Sequence, residues 1–548
     1  MRRKIKYVAA VFVVCGLLAT ALPGDNYFEI AKNLDIFATL FKEVNAYYVD
    51  DVDPAKLIRK GIDGMLESLD PYTDFIAEDE LEGFRISATG QYAGIGALIG
   101  NVNGKTVITH PYKNFPAYKA GIKVGDEIIA VDGQAVQGKT TAEISNLLRG
   151  PLKSEVELKL RRYGQPADLT VKVKRERIII SNIAFYGIIS PGVGYIRLND
   201  FTPGAGKEVA HAVSELKQQG ARQLILDLRD NPGGMLHEAI NIVNLFVPKG
   251  KEVVSTKGKM AEWNRTYTTL NSPLDVNIPL AVLINENSAS ASEIVAGALQ
   301  DYDRAVLIGR KTFGKGLVQT TRPLAYNAQL KVTTARYYIP SGRCIQELDY
   351  AHRNADGTVN KFADSLRKVF YTANGRPVYD GGGLTPDIET ESPHEIPIIN
   401  ALVNSGTLFE YATRYANENP ATRPPGTFVL SDAEYEKFVA WVKQRKLSYT
   451  TNIEHHMEKL TEAARSESYY PEVARAIENL KKQVEAHKEN DFVRYQKEVK
   501  HLLEQQIAFH YFLYEGQVPV ALRADADVEK ARSILASPET YRSLLSPR

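Results

Sequence analysis

Between Ile278 and Gln319 the chain changes character twice in a way that few folds allow. Ile278 to Ile284 is an unbroken apolar run that reads as a strand. It breaks at Asn285 into Ser288-Ala-Ser290-Ala-Ser292-Glu293, and a helical pattern follows. A serine at a strand-to-helix turn is exposed on one side. It also lies beside the first free N–H groups of the helix, which favour developing negative charge. Lys315 follows between Gly314 and Gly316, and Gln319 comes four residues later. A lysine held in a tight glycine loop, once desolvated, can lose its proton near neutral pH and act as a base. Plainer readings stand beside these: Ser290-Ala-Ser-Glu293 is also a capping box, and Gly-Lys-Gly is also a surface turn.

The surrounding chain repeats the strand-then-helix alternation. Val193 to Leu198 reads as a strand, followed by a helix over about 205–219. Leu224 to Leu228 is a second strand, and it enters Arg229-Asp-Asn-Pro-Gly-Gly234 before another helix. Leu330 to Tyr338 is a further strand, leading into Ile339-Pro-Ser-Gly-Arg-Cys-Ile-Gln346. Gly382-Gly-Leu-Thr-Pro-Asp-Ile388 closes the unit. The alternation predicts an α/β sheet core over residues 177–395. A chain of 548 residues is too long for one core. Residues 25–90 carry helical stripes, including Ile30, Leu34, Phe37, Leu40 and Phe41, and residues 396–548 are mainly charged helices. Residues 91–176 hold Gly94-Ile-Gly96, an alternating strand, Val124 to Asp132-Gly133 ending in a hairpin-type turn, a helix from Thr141 to Leu148, and two closing strands.

Two resemblances follow. The pattern over residues 91–176 resembles a circularly permuted bacterial PDZ domain. The Ser290 to Gln319 segment, the Asn-Pro-Gly-Gly turn and the Pro-Ser-Gly-Arg segment resemble the C-terminal processing peptidases, also called tail-specific serine proteases. The resemblance covers about residues 30–390. It implies an α/β multidomain protein: an α/β catalytic sheet core, a PDZ domain, an N-terminal helical segment and a C-terminal helical domain. It implies Ser290 as nucleophile, Lys315 as base and Gln319 as the residue that orients the lysine. It also implies an oxyanion hole from the N–H of Ala291 and that of Gly233 or Gly234, a choice the sequence leaves open. No metal or organic cofactor is expected. A PDZ groove takes an extended peptide as an added strand, with its carboxylate in a backbone nest. That nest would be Gly94, Ile95 and Gly96, and Ile144, Leu147 and Leu148 are candidates either for the pocket wall or for the domain core.

Composition and remaining residues narrow the choice. Hydrophobic residues make up 44% and charged ones 24%, with a formal net charge of +1, which argues against a nucleic-acid partner. The first 24 residues, basic from Arg2 to Lys6 and apolar from Tyr7 to Leu22, read as a signal peptide. That places the protein in the periplasm or cell envelope, with membrane contact only if the segment is retained. With Cys15 removed, Cys344 is alone and reads as an inert small hydrophobe. The expected partners are proteins or peptides with free apolar C-termini, a second copy through the helical regions, and an adaptor. Two rival functions are a catalytically silent PDZ scaffold and a serine hydrolase whose base is a histidine: His110, His211 or His237.

Overall fold

The computed structural model describes residues 25–547 except 355, 364, 366, 393, 421–423 and 446. The signal-peptide segment lies outside the described residues. The chain divides into two compact units, Met1–Phe75 and Ile76–Arg548.

The first unit contains α1 (Asp25–Tyr47) and α2 (Pro54–Glu67). Asp53 caps α2 by accepting the N–H groups of Ala55 (3.0 Å) and Lys56 (3.2 Å), with Pro54 in the first turn. The stripe foreseen on α1 faces outward: Ile30, Leu34, Phe37 and Leu40 are all exposed.

In the second unit a short helix, Leu81–Thr89, precedes the PDZ strands β1 (Gln91–Gly94), β2 (Ala97–Val102), β3 (Lys105–Pro111) and β4 (Glu127–Val131). Helix α3 (Thr141–Leu148) and strands β5 (Glu155–Arg161), β6 (Leu169–Lys174) and β7 (Glu176–Ile179) complete it. β5 buries every second residue, Val156, Leu158 and Leu160, as the period of a strand requires. The strands run β2-β3-β4-β5-β6 across the main PDZ sheet, while β1 pairs with β7.

The central sheet follows, in the order β8 (Ile183–Ser190), β9 (Val193–Leu198), β10 (Gln223–Asp227), β11 (Leu280–Ile284), β12 (Val306–Gly309) and β13 (Ile388–Glu389). Only the β8–β9 pairing is antiparallel. All five residues of β11 are buried, because this middle strand is covered on both faces. One face holds α4 (Ala205–Gln218), α5 (Leu236–Phe246) and α6 (Ala291–Asp301), in a cluster that includes Val209, Val243, Val282 and Val295. A second sheet, in which β15 (Gln329–Tyr338) pairs with both Glu252–Gly258 and β14 (Leu317–Pro323), carries Gln319 of β14 opposite Thr333 of β15.

The C-terminal helices serve two places. Helices α7 (Pro397–Asn404), α8 (Thr407–Glu418), α9 (Asp432–Gln444) and α10 (Gln496–Phe512) share a core containing Leu402, Tyr411, Phe438 and Leu503. Helices α11 (Tyr514–Ala521), α12 (Ala526–Ala536) and α13 (Pro538–Leu544) instead cover the other face of the central sheet. There Val528, Ala531 and Ile534 meet Tyr195, Ile225 and Leu283. The Tyr541 hydroxyl accepts the Leu280 N–H (3.0 Å) and donates to the Leu280 carbonyl (3.1 Å). The α10–α11 corner also holds the PDZ. His110 packs against Phe509 and Tyr514 with ring centres 5.3 and 5.0 Å apart, and Lys113 pairs with Glu515 at 2.6 Å. Gly125 meets α8 instead, where a Cβ would lie 2.4 Å from the Thr413 side chain.

Candidate active site

Two loops at the carboxyl ends of β10 and β11 meet side by side. Ligands bind in α/β sheets at such ends. The β11–α6 turn places Ser290 at φ 55°, ψ −112°, outside the comfortable backbone regions. The three serines separate cleanly. Ser288 is buried, donates to the Leu228 carbonyl (2.8 Å) and accepts the Asn285 N–H (3.0 Å). Ser292 is buried and donates to the Asn231 carbonyl (2.9 Å). Ser290 is half-buried, so it is the hydroxyl a substrate can reach.

The Arg229–Gly234 turn lies against it. Asn231, fully buried, is its hub: its carbonyl accepts the Ala289 N–H (3.0 Å), its Nδ2 donates to the Leu198 carbonyl (2.7 Å), and its Oδ1 accepts the Gly233 N–H (2.9 Å). Gly233 sits at φ +98°. A Cβ there would lie 2.7 Å from the Ala289 carbonyl oxygen, 2.8 Å from the Ala291 nitrogen and 2.9 Å from the Ser290 Cβ. This explains the glycine physically: the turn touches the backbone that flanks Ser290. Gly234 packs as closely on Phe201. Ala291 is the first residue of α6.

The residue that sequence reasoning missed is Glu293. It reads as half of a capping box, and its Oε2 does accept the Ser290 N–H (2.8 Å). The same Oε2 accepts the Lys315 N–H (2.9 Å), while Oε1 accepts the Gly314 N–H (2.8 Å) and the Thr312 hydroxyl (2.6 Å). One buried carboxylate thus ties the serine turn to the lysine loop. Burial pushes its pKa up to about 7, against the lowering pull of these four donors. The lysine loop is fastened on its far side as well. The Gly316 N–H donates to Gln346 Oε1 (2.8 Å), the Glu347 N–H donates to the Gly314 carbonyl (2.9 Å), and the Leu384 N–H donates to Thr312 Oγ1 (2.7 Å). The Pro-Ser-Gly-Arg and Gly-Gly-Leu-Thr segments are therefore the backing of this loop. Lys315 is half-buried, and Gln319 Nε2 donates to Thr333 Oγ1 (3.1 Å) on the neighbouring strand.

The three candidate histidines have other surroundings. His110 is in the PDZ interface, and burial pushes its pKa down to about 4. His211 and His237 are exposed on their helices beside Glu215 and Glu238. Burial raises the Cys344 thiol, which disfavours a reactive thiolate. Among the described residues no cluster of His, Cys, Asp or Glu has the grouping of a metal site.

In the PDZ domain, Gly96 is at φ +74° and its carbonyl accepts the Tyr112 N–H (2.9 Å). Ile95, Ile144 and Leu148 are buried in the domain core, while Leu147 is partly exposed at its margin. The Tyr92 ring lies over Gly94, with the Arg149 guanidinium 5.6 Å from its centre. Burial pushes the Tyr92 phenol pKa up to about 12.

A PDZ domain and a helical unit built around an α/β sheet that presents a serine at a strand–helix turn define a PDZ-bearing serine protease. Residues 192–351 match the family model "Peptidase family S41", residues 107–162 match "PDZ domain", and residues 398–535 match "Probable PDZ-protease, C-terminal helical domain". The chain belongs to the carboxy-terminal-processing proteases. It is 37% identical over 352 residues to the carboxy-terminal-processing protease of Bartonella bacilliformis, covering 63% of this chain and 80% of that one. It is 38% identical over 317 residues to a probable CtpA-like serine protease of Staphylococcus aureus, covering 57% of this chain and 63%, less than two thirds, of the relative. The solved photosystem II D1 C-terminal processing protease shares 28% identity, covering 65% of this chain and 92% of that one, with a TM-score of 0.34.

Proposed function

We propose that this protease is a serine endopeptidase in which Ser290 and Lys315 act as a pair on the tails of envelope proteins. The observation that carries the reading is the Glu293 carboxylate, one oxygen of which accepts the N–H groups of both Ser290 and Lys315, at 2.8 and 2.9 Å. Neutral Lys315 takes the Ser290 proton as the oxygen attacks the scissile carbonyl. Gln319, steadied by Thr333, holds the lysine side chain in line. The Ala291 N–H and one from the glycine pair receive the oxyanion. Gly233 would first have to release Asn231 Oδ1, which makes the Gly234 N–H the readier donor. One such donor is typically worth about 3 kcal/mol of barrier. Lys315 then protonates the leaving amine, and water completes deacylation. A histidine base is disfavoured because His110 is packed against Phe509 and Tyr514, and His211 and His237 are exposed beside Glu215 and Glu238.

The PDZ groove selects the substrate. Gly94, Ile95 and Gly96 form the nest for a free carboxylate, and exposed Leu98 with Leu147 offers an apolar wall. Ile144 and Leu148 support that wall from the core. The apolar side of α1 favours pairing with a second copy. The basic-then-apolar start of the chain favours export to the envelope, and no helix among the described residues is long and apolar enough to cross a membrane.

The test uses one folded carrier with a flexible apolar tail, ending in a carboxylate, an amide or Asp-Asp. The carboxylate form should be cleaved at least severalfold faster than the others, since a charge-assisted hydrogen bond contributes roughly 1.5–3 kcal/mol. Ser290→Ala and Lys315→Ala should abolish cleavage, Gln319→Ala should lower it, and Ser288→Ala should retain turnover. An active Lys315→Ala enzyme would eliminate the pair. Equal rates on all three tails would eliminate tail selection and leave the pair untouched.

A further inference from the structure

The turn that carries the glycine pair begins at Arg229, and carboxylates from two distant parts of the chain enclose that guanidinium. Asp227, at the end of β10, meets Nε at 3.0 Å and Nη2 at 2.7 Å. Asp525 grips the fork with both oxygens, at 3.0 Å from Nη1 and 2.7 Å from Nη2. Asp527 adds a contact to Nη1 at 3.0 Å. The four side chains are between 1% and 18% exposed, so these charges are largely withdrawn from water. Packing alone does not call for such a cluster, because apolar residues of similar volume often stabilise as well or better. What a forked arginine supplies is orientation.

Here the orientation is passed on along the turn. The Arg229 N–H is itself held by Asp227 Oδ1 (3.0 Å), and the Asp230 N–H by Asn285 Oδ1 (2.9 Å). Asn231 then bonds Gly233 through its side chain, and Ala289 and Ser292 through its carbonyl. Arg229 is thus two residues upstream of the hub that fixes the glycine pair against Ser290.

We propose that Asp525 and Asp527 are positioning residues for the oxyanion turn, acting through Arg229, so that the start of α12 is a working part of the active site. The proposal rests on the reading of Ser290 and the glycine pair given above. It concerns the last helices of the chain, which touch neither substrate nor reacting atoms. Their effect should fall on kcat, because oxyanion donors act on the transition state and not on the bound substrate.

The experiment uses the full chain and a short unstructured peptide with an amidated end, which bypasses PDZ selection. Asp525→Asn, Asp527→Asn and the double variant are compared with Ser290→Ala. Asn caps a helix as well as Asp does, so Asp525→Asn removes the charge and can leave the cap on the Val528 N–H (3.0 Å) in place. The double variant should lose about tenfold or more in kcat, with KM within about twofold. Organophosphonate labelling of Ser290 should slow in parallel, and Asp527→Glu should recover part of the rate. If the double variant does not fold, the two single variants are read by the same criteria. A lowered melting temperature with wild-type kcat would overturn the proposal, since that is the mark of a merely structural cluster. A Ser290→Ala enzyme that still cleaved would instead remove the underlying reading, whatever the aspartate variants did.

Discussion

Replacing Glu293 by glutamine changes no shape and tests whether one carboxylate holds both halves of the site. Four donors converge on it: the N–H groups of Ser290, Gly314 and Lys315 and the hydroxyl of Thr312. A glutamine has one oxygen, so its NH2 must face either the Ser290 and Lys315 N–H groups or the Gly314 N–H and Thr312. The second arrangement is the milder. Thr312 can rotate its proton away, but the Gly314 N–H is then left buried without its acceptor, at a cost of about 1–3 kcal/mol. The pH dependence separates this from a generic loss. Glu293 titrates near 7 in the fold against an ordinary 4.5. Between those values the folded state holds the proton and the unfolded chain does not. Its contribution is therefore fully present below about 4.5 and is lost as pH rises through 7, a fall of about 3 kcal/mol. Denaturant melts of wild type should show this fall, and Glu293→Gln should be flat over the same window. At pH 8, kcat on a short peptide should drop about tenfold or more, because both the serine turn and the lysine loop lose a charged anchor. Wild-type kcat at pH 8 with an unchanged pH–stability curve would refute the reasoning.

Three further outcomes are expected. Gly233→Ala should abolish cleavage, since its methyl would meet the Ala289 oxygen, the Ala291 nitrogen and the Ser290 Cβ at under 3 Å on a backbone at φ +98° and push the serine turn away. Peptide hydrolysis and organophosphonate labelling would check it, and activity above a few per cent would count against the close approach. Tyr92→Ala should tighten binding of a free-carboxylate tail severalfold in calorimetry, because the ring that lies over Gly94 no longer covers the proposed nest; unchanged affinity would remove that obstruction. Burial beside Phe509 and Tyr514 holds His110 near 4 against an ordinary 6.5. The undocked histidine takes up a proton below 6.5 and the docked one does not, so PDZ docking should weaken as pH falls from about 6.5 toward 4 and stay constant above. Hydrogen exchange across residues 509–515 should quicken at pH 5 relative to intrinsic rates, and His110→Phe should abolish the change.

What sequence could reveal was what is local. The apolar run before Ser288 and the helix after Ser290 fixed the turn, because five buried residues in a row leave no solvent face for β11. Gly-Lys-Gly was legible as a tight loop for the same reason. Contacts that close over long separations were not legible. Glu293 showed as a cap on Ser290, but nothing in the order of residues says that a loop some twenty positions on returns to the same carboxylate. Asp525 and Asp527 are two acidic residues among many in the charged region 396–548, and their guanidinium lies 296 and 298 residues upstream. The helical character of residues 396–548 likewise carried no sign that α12 would become the second cover of the central sheet. A helix in a bundle and a helix on a sheet need the same apolar stripe. In the PDZ domain, helical period placed Ile144, Leu147 and Leu148 near one another but could not say that Ile144 and Leu148 point into the core.

The long-range contacts have a common purpose. Ser290 at φ +55°, Asp230 at +61°, Gly233 at +98° and Gly234 at +150° are four positive-φ positions in two adjoining turns. For the two that carry side chains, such conformations cost of order 1–3 kcal/mol each and persist only where the surroundings over-determine them. The surroundings here do so with polar clamps rather than packing. Asp230 is held by Asn285 and Asn287, Gly233 by Asn231, and Ser290 by Glu293 behind it and the Tyr337 hydroxyl on its carbonyl (3.2 Å). This accounts for the spacing of the three serines. Ser288 in the turn and Ser292 in the first turn of α6 point inward, where each bonds a carbonyl at the neighbouring turn, and the strained middle residue is left facing out. The flanking hydroxyls hold the two turns together, so only the central one is left for chemistry.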